Sequence, residues 1–316
     1  MKTVALTGGG GLIGSVLVRR LTMEGDRVIL LSRSSAHSPA RPRTLRWDPE
    51  KGIFPAGELE GIDALVHLAG EPLVSLRWTR SKKERILRSR EEGTRLVARG
   101  ISRMERPPAV VISASAVGYY GDRGSETLTE ESGAGEGFLS EVCQRWEGAL
   151  QPVQEAGIRT VFLRTGFVLA RQGGALKALL PPFRLGVGGR LGKGDHYLPW
   201  IDLQDEVGLI VHALGTPTVE GPMNATGPCP VTNAEFTEVL GKVLRRPTIL
   251  PLPASLIRLG LGEMGKELLL SGQRAIPEKA LNTGYTFRFE ELEASLRSQL
   301  QTRRRQGMNL QKGGEG

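Results

Sequence analysis

Cysteine is scarce in this 316-residue chain: only Cys143 and Cys229 occur, without the paired spacing of a disulfide framework or a metal site. The histidines His37, His67, His196 and His212 add no ligand motif, so no metal centre is expected. Sparse, unpaired thiols suit a reduced, cytoplasmic protein. No apolar run approaches the roughly 20 residues needed to cross a bilayer. A strand pattern starts directly after Met1-Lys2-Thr3, so no secretion signal is expected either. The formal charge is +8, yet no helix-turn-helix, finger or RNA-binding signature accompanies it. Much of the excess lies in Arg80, Lys82, Lys83, Arg85, Arg88, Arg90, Arg95, Arg99 and Arg103, and more in Arg303-Arg304-Arg305. This reads as a solvated basic helix face that attracts an anionic cofactor. The expected partner is a small-molecule substrate, with neither nucleic acid nor membrane.

What is abundant is glycine, and its placement carries the most information. Val4-Ala5-Leu6 runs into Thr7-Gly8-Gly9-Gly10-Gly11-Leu12-Ile13-Gly14. Gly8, Gly11 and Gly14 give a GxxGxxG spacing, and Gly9, Gly11 and Gly14 satisfy GxGxxG. Such a turn needs glycine for tightness, for backbone approach to a pyrophosphate and for helix–strand packing. The helix that follows (Leu12, Ile13, Val16, Leu17, Leu21) offers its N-terminal N–H groups to the phosphates. Gly25 stops it before a second apolar strand, Val28-Ile29-Leu30-Leu31. An NAD site usually carries Asp or Glu at the tip of that strand. Here the tip is Ser32-Arg33-Ser34-Ser35, with no carboxylate between Asp26 and Asp48. The planar fork of Arg33 suits a 2′-phosphate, so NADP(H) is the expected cofactor.

Further strands are expected at Thr44–Trp47, Ala64–Ala69, Val110–Ser113 and Arg159–Leu163. Helices are expected at 79–105, 136–156, 204–214, 232–245 and 290–300, with more helix between 254 and 272. The Gly/Pro-rich stretch 181–202, from Pro181-Pro182 onward, reads as a long loop or lid. The tail 301–316 has no apolar periodicity and is expected to be disordered. This alternation specifies an α/β fold: a Rossmann-like doubly wound parallel sheet with a smaller, mostly C-terminal lobe.

Several segments resemble the extended short-chain dehydrogenase/reductase superfamily, in its atypical epimerase-family branch with a C-terminal DUF1731-type domain. They include the glycine turn, His67-Leu68-Ala69-Gly70-Glu71, Arg90-x-x-Gly93-Thr94 and Leu163-Arg164-Thr165-Gly166-Phe167-Val168-Leu169. Pro199–Asp205, Asn224-Ala225-Thr226-Gly227 with Thr232–Glu235, and Ile249–Pro253 continue the likeness. It implies an NADP-binding domain over 1–170, with 199–228 returning to it. A substrate lobe would comprise 171–198 and 229–300, with the small C-terminal domain from about 249. Backbone at Leu12 and Ile13 would hold the pyrophosphate, Leu68, Ala69, Gly70 and Glu71 would pass beside it, and Thr165 to Val168 would lie near the nicotinamide amide. Arg90 stands where the superfamily has Asn and would reach a phosphate or the Glu71 carboxylate.

The superfamily's catalytic helix usually carries Tyr-x-x-x-Lys, in which lysine lowers the tyrosine pKa. Here the same helix reads Gly137-Phe138-Leu139-Ser140-Glu141-Val142-Cys143, with Phe138 and Val142 at the expected places, or Gly137 and Glu141 on a shift by one. Neither register supplies a phenol or an ammonium. Ser115 is the first candidate to bond the substrate oxygen, and Tyr119 or Tyr120 would supply a phenol from the loop. Cys143 is read as a small buried residue, His67 as a core histidine, and Lys193 and His196 as binders of an anionic substrate. The resemblance thus implies an NADP(H)-dependent oxidoreductase or epimerase acting on a small polar substrate. The missing pair keeps a second class open: an NADPH-binding sensor or scaffold without turnover.

Overall fold

The computed structural model describes residues 1–34, 42–73 and 77–301. β1 (Thr3–Thr7) leads through the glycine turn into α1 (Leu12–Met23), then β2 (Arg27–Ser32) and β3 (Arg43–Arg46). β4 (Ala64–His67), the long α2 (Arg80–Ile101) and β5 (Val110–Ala116) follow. Next come the short β6 (Thr127–Leu128), α3 (Phe138–Gly148), α4 (Gln151–Glu155), β7 (Arg159–Thr165) and β8 (Phe167–Leu169). α5 (Gly174–Arg184), β9 (Tyr197–Leu198), β10 (Trp200–Asp202) and α6 (Leu203–Gly215) open the second half. It continues with β11 (Gly221–Ala225), β12 (Val231–Thr232), α7 (Asn233–Leu244) and α8 (Ala254–Gly265). β13 (Arg274–Ala275), α9 (Glu278–Asn282) and α10 (Leu292–Gln301) complete it.

Seven strands, all parallel, form one sheet in the order β11-β7-β5-β4-β1-β2-β3. This is a Rossmann-like sheet. The chain order reverses between β1 and β4, which is the switch point where doubly wound sheets bind ligands. Central strands are apolar throughout because helices cover both faces. Alternate side chains feed two cores. Val4, Leu6, Val66, Ile112 and Leu163 pack with Leu17 and Leu21 of α1 and with Leu209 and Ile210 of α6. Ala5, Leu65, Val111 and Phe162 pack on the other side with Leu96, Val97 and Ile101 of α2. A third core joins Leu176, Leu180 and Phe183 of α5 to Phe236, Leu240 and Val243 of α7, with Trp200 and Leu296.

The structure departs from the sequence expectation at identifiable places. The helix expected over 136–156 breaks at Leu150, whose φ/ψ of −94°/2° is not helical, and a new turn starts with Pro152 near its N-terminus. Proline lacks the N–H that a continuous helix would need there. Pro181 and Pro182 lie inside α5 and not in a loop. Burial of Leu176, Leu180 and Phe183 outweighs the two donors missing near its last turn. The expected helix over 254–272 is interrupted at Gly262, at φ 60°, and ends in a turn of π-helix over 266–270. Ser35, His37 and the tail 302–316 lie outside the described residues.

The C-terminal segment is fastened by two carboxylates at the start of α6. Asp202 caps the helix through the Gln204 N–H and accepts from Ser295 Oγ (2.6 Å) and Gln299 Nε2 (3.0 Å). Asp205 accepts from the Arg288 N–H (2.8 Å), the Phe289 N–H (3.1 Å) and the Tyr285 hydroxyl (3.0 Å). Asp205→Ala strands three donors against a buried site, so the urea midpoint should fall by the equivalent of at least about 2 kcal/mol. An unchanged midpoint would show that the segment is held by packing alone.

Candidate functional site

The turn between β1 and α1 is shaped by steric exclusion. Gly8 has φ +72°, and a Cβ there would lie 2.8 Å from the Leu68 carbonyl carbon. At Gly14 a Cβ would overlap the Gly8 carbonyl oxygen, so helix and turn touch only because that side chain is absent. The Gly11 N–H closes the turn onto Gly8 O at 2.9 Å. Gly11 is also the N-cap of α1, and no side chain caps the helix. The first-turn N–H groups, at Leu12 and Ile13, therefore remain available to an anion.

Thr7 locks this turn to the tip of β4. Its Oγ1 accepts the Leu68 and Ala69 N–H groups at 3.1 and 3.3 Å and lies 2.7 Å from His67 Nδ1. With both lone pairs engaged, the hydroxyl proton goes to Nδ1, which leaves the hydrogen of His67 on Nε2. Burial lowers the His67 pKa to about 4, so the ring is neutral. The sequence reading of a core histidine fits this placement, except that Nε2 has no partner.

Beside this junction lies a cavity of about 740 Å³ lined by Gly8, Gly11, Ser32, Arg33, Leu68, Ala69, Gly70 and Glu71. Eight of the residues expected to hold a cofactor thus line one space. Trp47, Arg85 and Arg88 also line it. The sequence reading placed the last two on a basic face that attracts an anionic cofactor, and their spacing of three puts them on one side of α2. Their charges are partly matched: Arg88 pairs with Glu92 at 3.1 Å, and Arg85 lies 3.8 Å from Glu71. Lys82 bonds Glu71 at 2.7 Å and holds its carboxyl below the usual range.

Arg90 does not reach the Glu71 carboxylate. Its Nη1 donates to the backbone oxygens of Glu71 (3.0 Å) and Ile86 (3.2 Å), and the guanidinium stacks over Trp146 at 4.9 Å. Buried there, with its pKa lowered to about 10, it props the 68–71 segment from below.

At the C-terminal end of β5 the structure gathers a buried polar chain. Ser115 Oγ donates to Glu147 Oε1 at 2.6 Å, and Arg164 grips the same carboxylate through Nε and Nη2, each at 2.9 Å. Arg164 Nη1 donates to the Tyr120 hydroxyl (3.0 Å), which donates to Asn224 Oδ1 (2.6 Å). The Asn224 N–H continues to Glu130 Oε1 at 2.9 Å, and its Nδ2 to the Ile276 carbonyl. The guanidinium also lies 3.5 Å from the centre of the half-buried Tyr119 ring. Burial opposes the Arg164 charge, yet the Glu147 carboxylate holds its pKa above the usual value. Tyr120 has no exposed surface, and burial pushes its pKa up to about 12. Its hydroxyl is a strut within the chain. Of the three residues grouped by sequence, only Tyr119 is half-buried, while Ser115 and Tyr120 are buried.

Leu139, Cys143 and Glu147 of α3, one turn apart, contact this segment, and Ser140 Oγ donates to the Tyr119 carbonyl at 2.8 Å. A Cβ on Gly118 would lie 3.1 Å from Leu139 Cβ, and Cys143 Sγ donates to Ala116 O at 3.6 Å. Phe138 and Val142 instead pack with Trp78, Ile86 and Met264. The expected register of the Tyr-x-x-x-Lys positions is therefore corrected by one, to Leu139 and Cys143. Neither supplies a phenol or an ammonium, and burial pushes the Cys143 thiol up to about 12. Glu147 escaped the sequence reading, although it continues the four-residue rhythm of that face. Lys193 is exposed and His196 half-buried in the glycine-rich segment.

Thr165 Oγ1 donates to Glu206 Oε1 at 2.8 Å, while Val168 pairs with Ile201 across β8 and β10. Glu206 has no exposed surface, its Oε2 has no partner, and burial raises its pKa from 4.5 to about 8. A carboxyl raised in this way stabilises the fold fully below its unfolded pKa and loses that contribution as pH rises through about 8. Glu206→Gln mimics the protonated form. Between pH 5 and 8 the variant's stability, followed by urea denaturation, should therefore gain on wild type by up to about 1.4 kcal/mol per pH unit. Parallel pH profiles would mean that Glu206 is already ionised in the fold.

Residues 4–224 match the NAD dependent epimerase/dehydratase family, and residues 252–299 match the domain of unknown function DUF1731. Epimerase family protein Mb2239 of Mycobacterium bovis is 40% identical over 293 residues, covering 93% of this chain and 96% of its own. Among solved structures, human epimerase family protein SDR39U1 (isoform 2) with NADPH superposes with a TM-score of 0.84 at 34% identity. That match covers 94% of this chain and 98% of the human one. The nucleoside-diphosphate sugar epimerase from Corynebacterium glutamicum gives a TM-score of 0.77 at 36% identity, over 95% of this chain and 58% of its own. With its glycine turn, parallel sheet and C-terminal domain all matched, the chain belongs to the NAD dependent epimerase/dehydratase family, in the atypical short-chain dehydrogenase/reductase branch that carries DUF1731.

Proposed function

We propose that this chain is a cytoplasmic NADP(H)-dependent oxidoreductase or epimerase acting on a small polar substrate. The cavity at the switch point carries the reading, because it joins a Cβ-free turn and an uncapped helix N-terminus to three arginines. Those features fit a dinucleotide with an extra phosphate. Leu12 and Ile13 would hold the pyrophosphate through their N–H groups, and Ser32 and Arg33 would hold the 2′-phosphate. Leu68 to Glu71 would flank the ribose, with Thr165 and Val168 toward the nicotinamide end. The solved human relative with NADPH supports the same cofactor. When bound, the cofactor supplies hydride exchange at its nicotinamide ring.

The chain's own part is to orient the substrate and move a proton. Ser115 would bond the substrate oxygen, and its hydroxyl donates to Glu147 Oε1 at 2.6 Å. A serine aligned by a carboxylate that Arg164 holds in place is the best-organised proton-handling group near Leu139 and Cys143, which replace the usual pair. Tyr119 flanks it. Residues 171–198 and 229–300 would form the substrate lobe. Leu139 and Cys143 also favour a second reading, an NADPH-binding protein without turnover. NADPH consumption against a panel of carbonyl metabolites separates the two, since tight binding with no consumption across the panel would favour the second.

Arg33→Ala should weaken NADPH binding about tenfold or more, the loss of one charge-assisted phosphate contact, and leave NADH binding nearly unchanged. Equal losses for both in a fluorescence titration would remove Arg33 from the 2′-phosphate. Gly11 lines the cavity, so Gly11→Val should abolish binding of both dinucleotides while the circular dichroism spectrum stays native. Retained NADPH affinity in that variant would exclude the turn from the site. With an active substrate, Ser115→Ala should lower turnover by about 10²–10⁴ without changing NADPH affinity. Undiminished turnover would place the proton group elsewhere.

A further inference from the structure

The smaller lobe carries an exposed apolar surface on two of its segments. Leu185, Val187, Ile249, Leu250, Leu256 and Leu259 are each between 53 and 79% exposed. They come from two segments that the fold zips together. Gly189 pairs with Ile249 and Leu191 with Leu252, the Leu252 N–H donates to Arg190 O at 2.9 Å, and Arg246 Nε donates to Arg184 O at 2.9 Å. Large exposed aliphatic side chains gathered on two paired segments mark an interaction surface.

The charge on this face has one sign. Residues 171–194 and 239–262 contain no Asp or Glu. Arg184, Arg190, Arg245, Arg246 and Arg258 are exposed, and none is in an ion pair among the described residues. The acidic residues that flank the two segments are Asp195, Glu238 and Glu263, and Glu263 is taken up by Lys83 at 2.8 Å.

We propose that this face docks the protein peripherally on an anionic lipid surface, its aliphatic side chains entering the acyl boundary and its arginines meeting headgroup phosphates. A second copy of the chain is a poor occupant, because an isologous contact would set cations against cations. Protein interfaces are enriched in aromatic residues, Met and Arg; this face has the arginines, but its exposed apolar residues are Leu, Ile and Val, and the one aromatic residue of the two segments, Phe183, is buried. Among the described residues no helix is long and apolar enough to cross a membrane, so the contact is superficial. A peripheral lipid contact departs from the sequence expectation of no membrane partner, which rests on the lack of an apolar run long enough to span a bilayer.

Co-sedimentation of the full chain with vesicles of phosphatidylcholine, alone or mixed with phosphatidylglycerol, tests this. Wild type should sediment with the mixed vesicles, remain in solution with phosphatidylcholine alone, and be released by salt. Arg245→Glu with Arg246→Glu should weaken partitioning at least about tenfold. Leu256→Glu with Leu259→Glu should do the same from exposed positions that leave the fold intact, as an unchanged thermal melt and NADPH titration would confirm. No sedimentation with the mixed vesicles overturns the proposal and leaves an acidic protein as the occupant that fits. Equal binding of wild type and both variants overturns it as well.

Discussion

A guanidinium withdrawn from water must find its counter-charge in the same place, and Arg164 is the point on which this structure turns. Its side chain is 4% exposed, and that of Glu147 is 11% exposed. Removing one partner of such a pair typically costs about 3–5 kcal/mol, mostly because the other is left charged and buried. That penalty fixes geometry. The pair ties β7 to α3, Ser115 brings in the end of β5, and Tyr120 and Asn224 extend the chain to β11. Asn224 then reaches Ile276, so the C-terminal domain is hydrogen-bonded to the same chain as the candidate proton-handling serine.

The second organising constraint is the absence of side chains at the switch point. Gly8 and Gly14 let strand, turn and helix touch, while Thr7 gathers the Leu68 and Ala69 amides. Arg90 supports the same segment from beneath through the Glu71 carbonyl. The cavity therefore has close-packed backbone on one wall and the long cationic side chains of Arg33, Arg85 and Arg88 among the rest of its lining. A close-packed floor suits a pyrophosphate that must sit in one register, and long side chains suit phosphates at the rim.

Local rules made much of this legible in the sequence. The glycine spacing, the apolar strands and the missing carboxylate after β2 each depend on neighbours within a few residues, and the cavity lining matches them. What the sequence hid depends on tertiary placement. Glu147 and Arg164 are separated by a helix turn, a loop and a strand, and neither stands out in a chain with 42 Lys and Arg residues. The register of α3 was misplaced by one because Phe138 and Val142 look like the inward face. In the fold they are inward, but toward Trp78 and Met264 instead of toward Ser115. Pro181 and Pro182 signalled a loop by composition, and the buried face of α5 overrode them.

The central claim is that the switch-point cavity receives NADPH and directs its reactive end toward the segment held by Glu147 and Arg164. A crystal structure of the chain grown with NADPH tests this most directly. The account predicts the 2′-phosphate within hydrogen-bond distance of Arg33, the pyrophosphate on the Leu12 and Ile13 amides, and the nicotinamide ring beside Ser115. A dinucleotide bound outside this cavity, or one whose nicotinamide points away from Ser115, would contradict it.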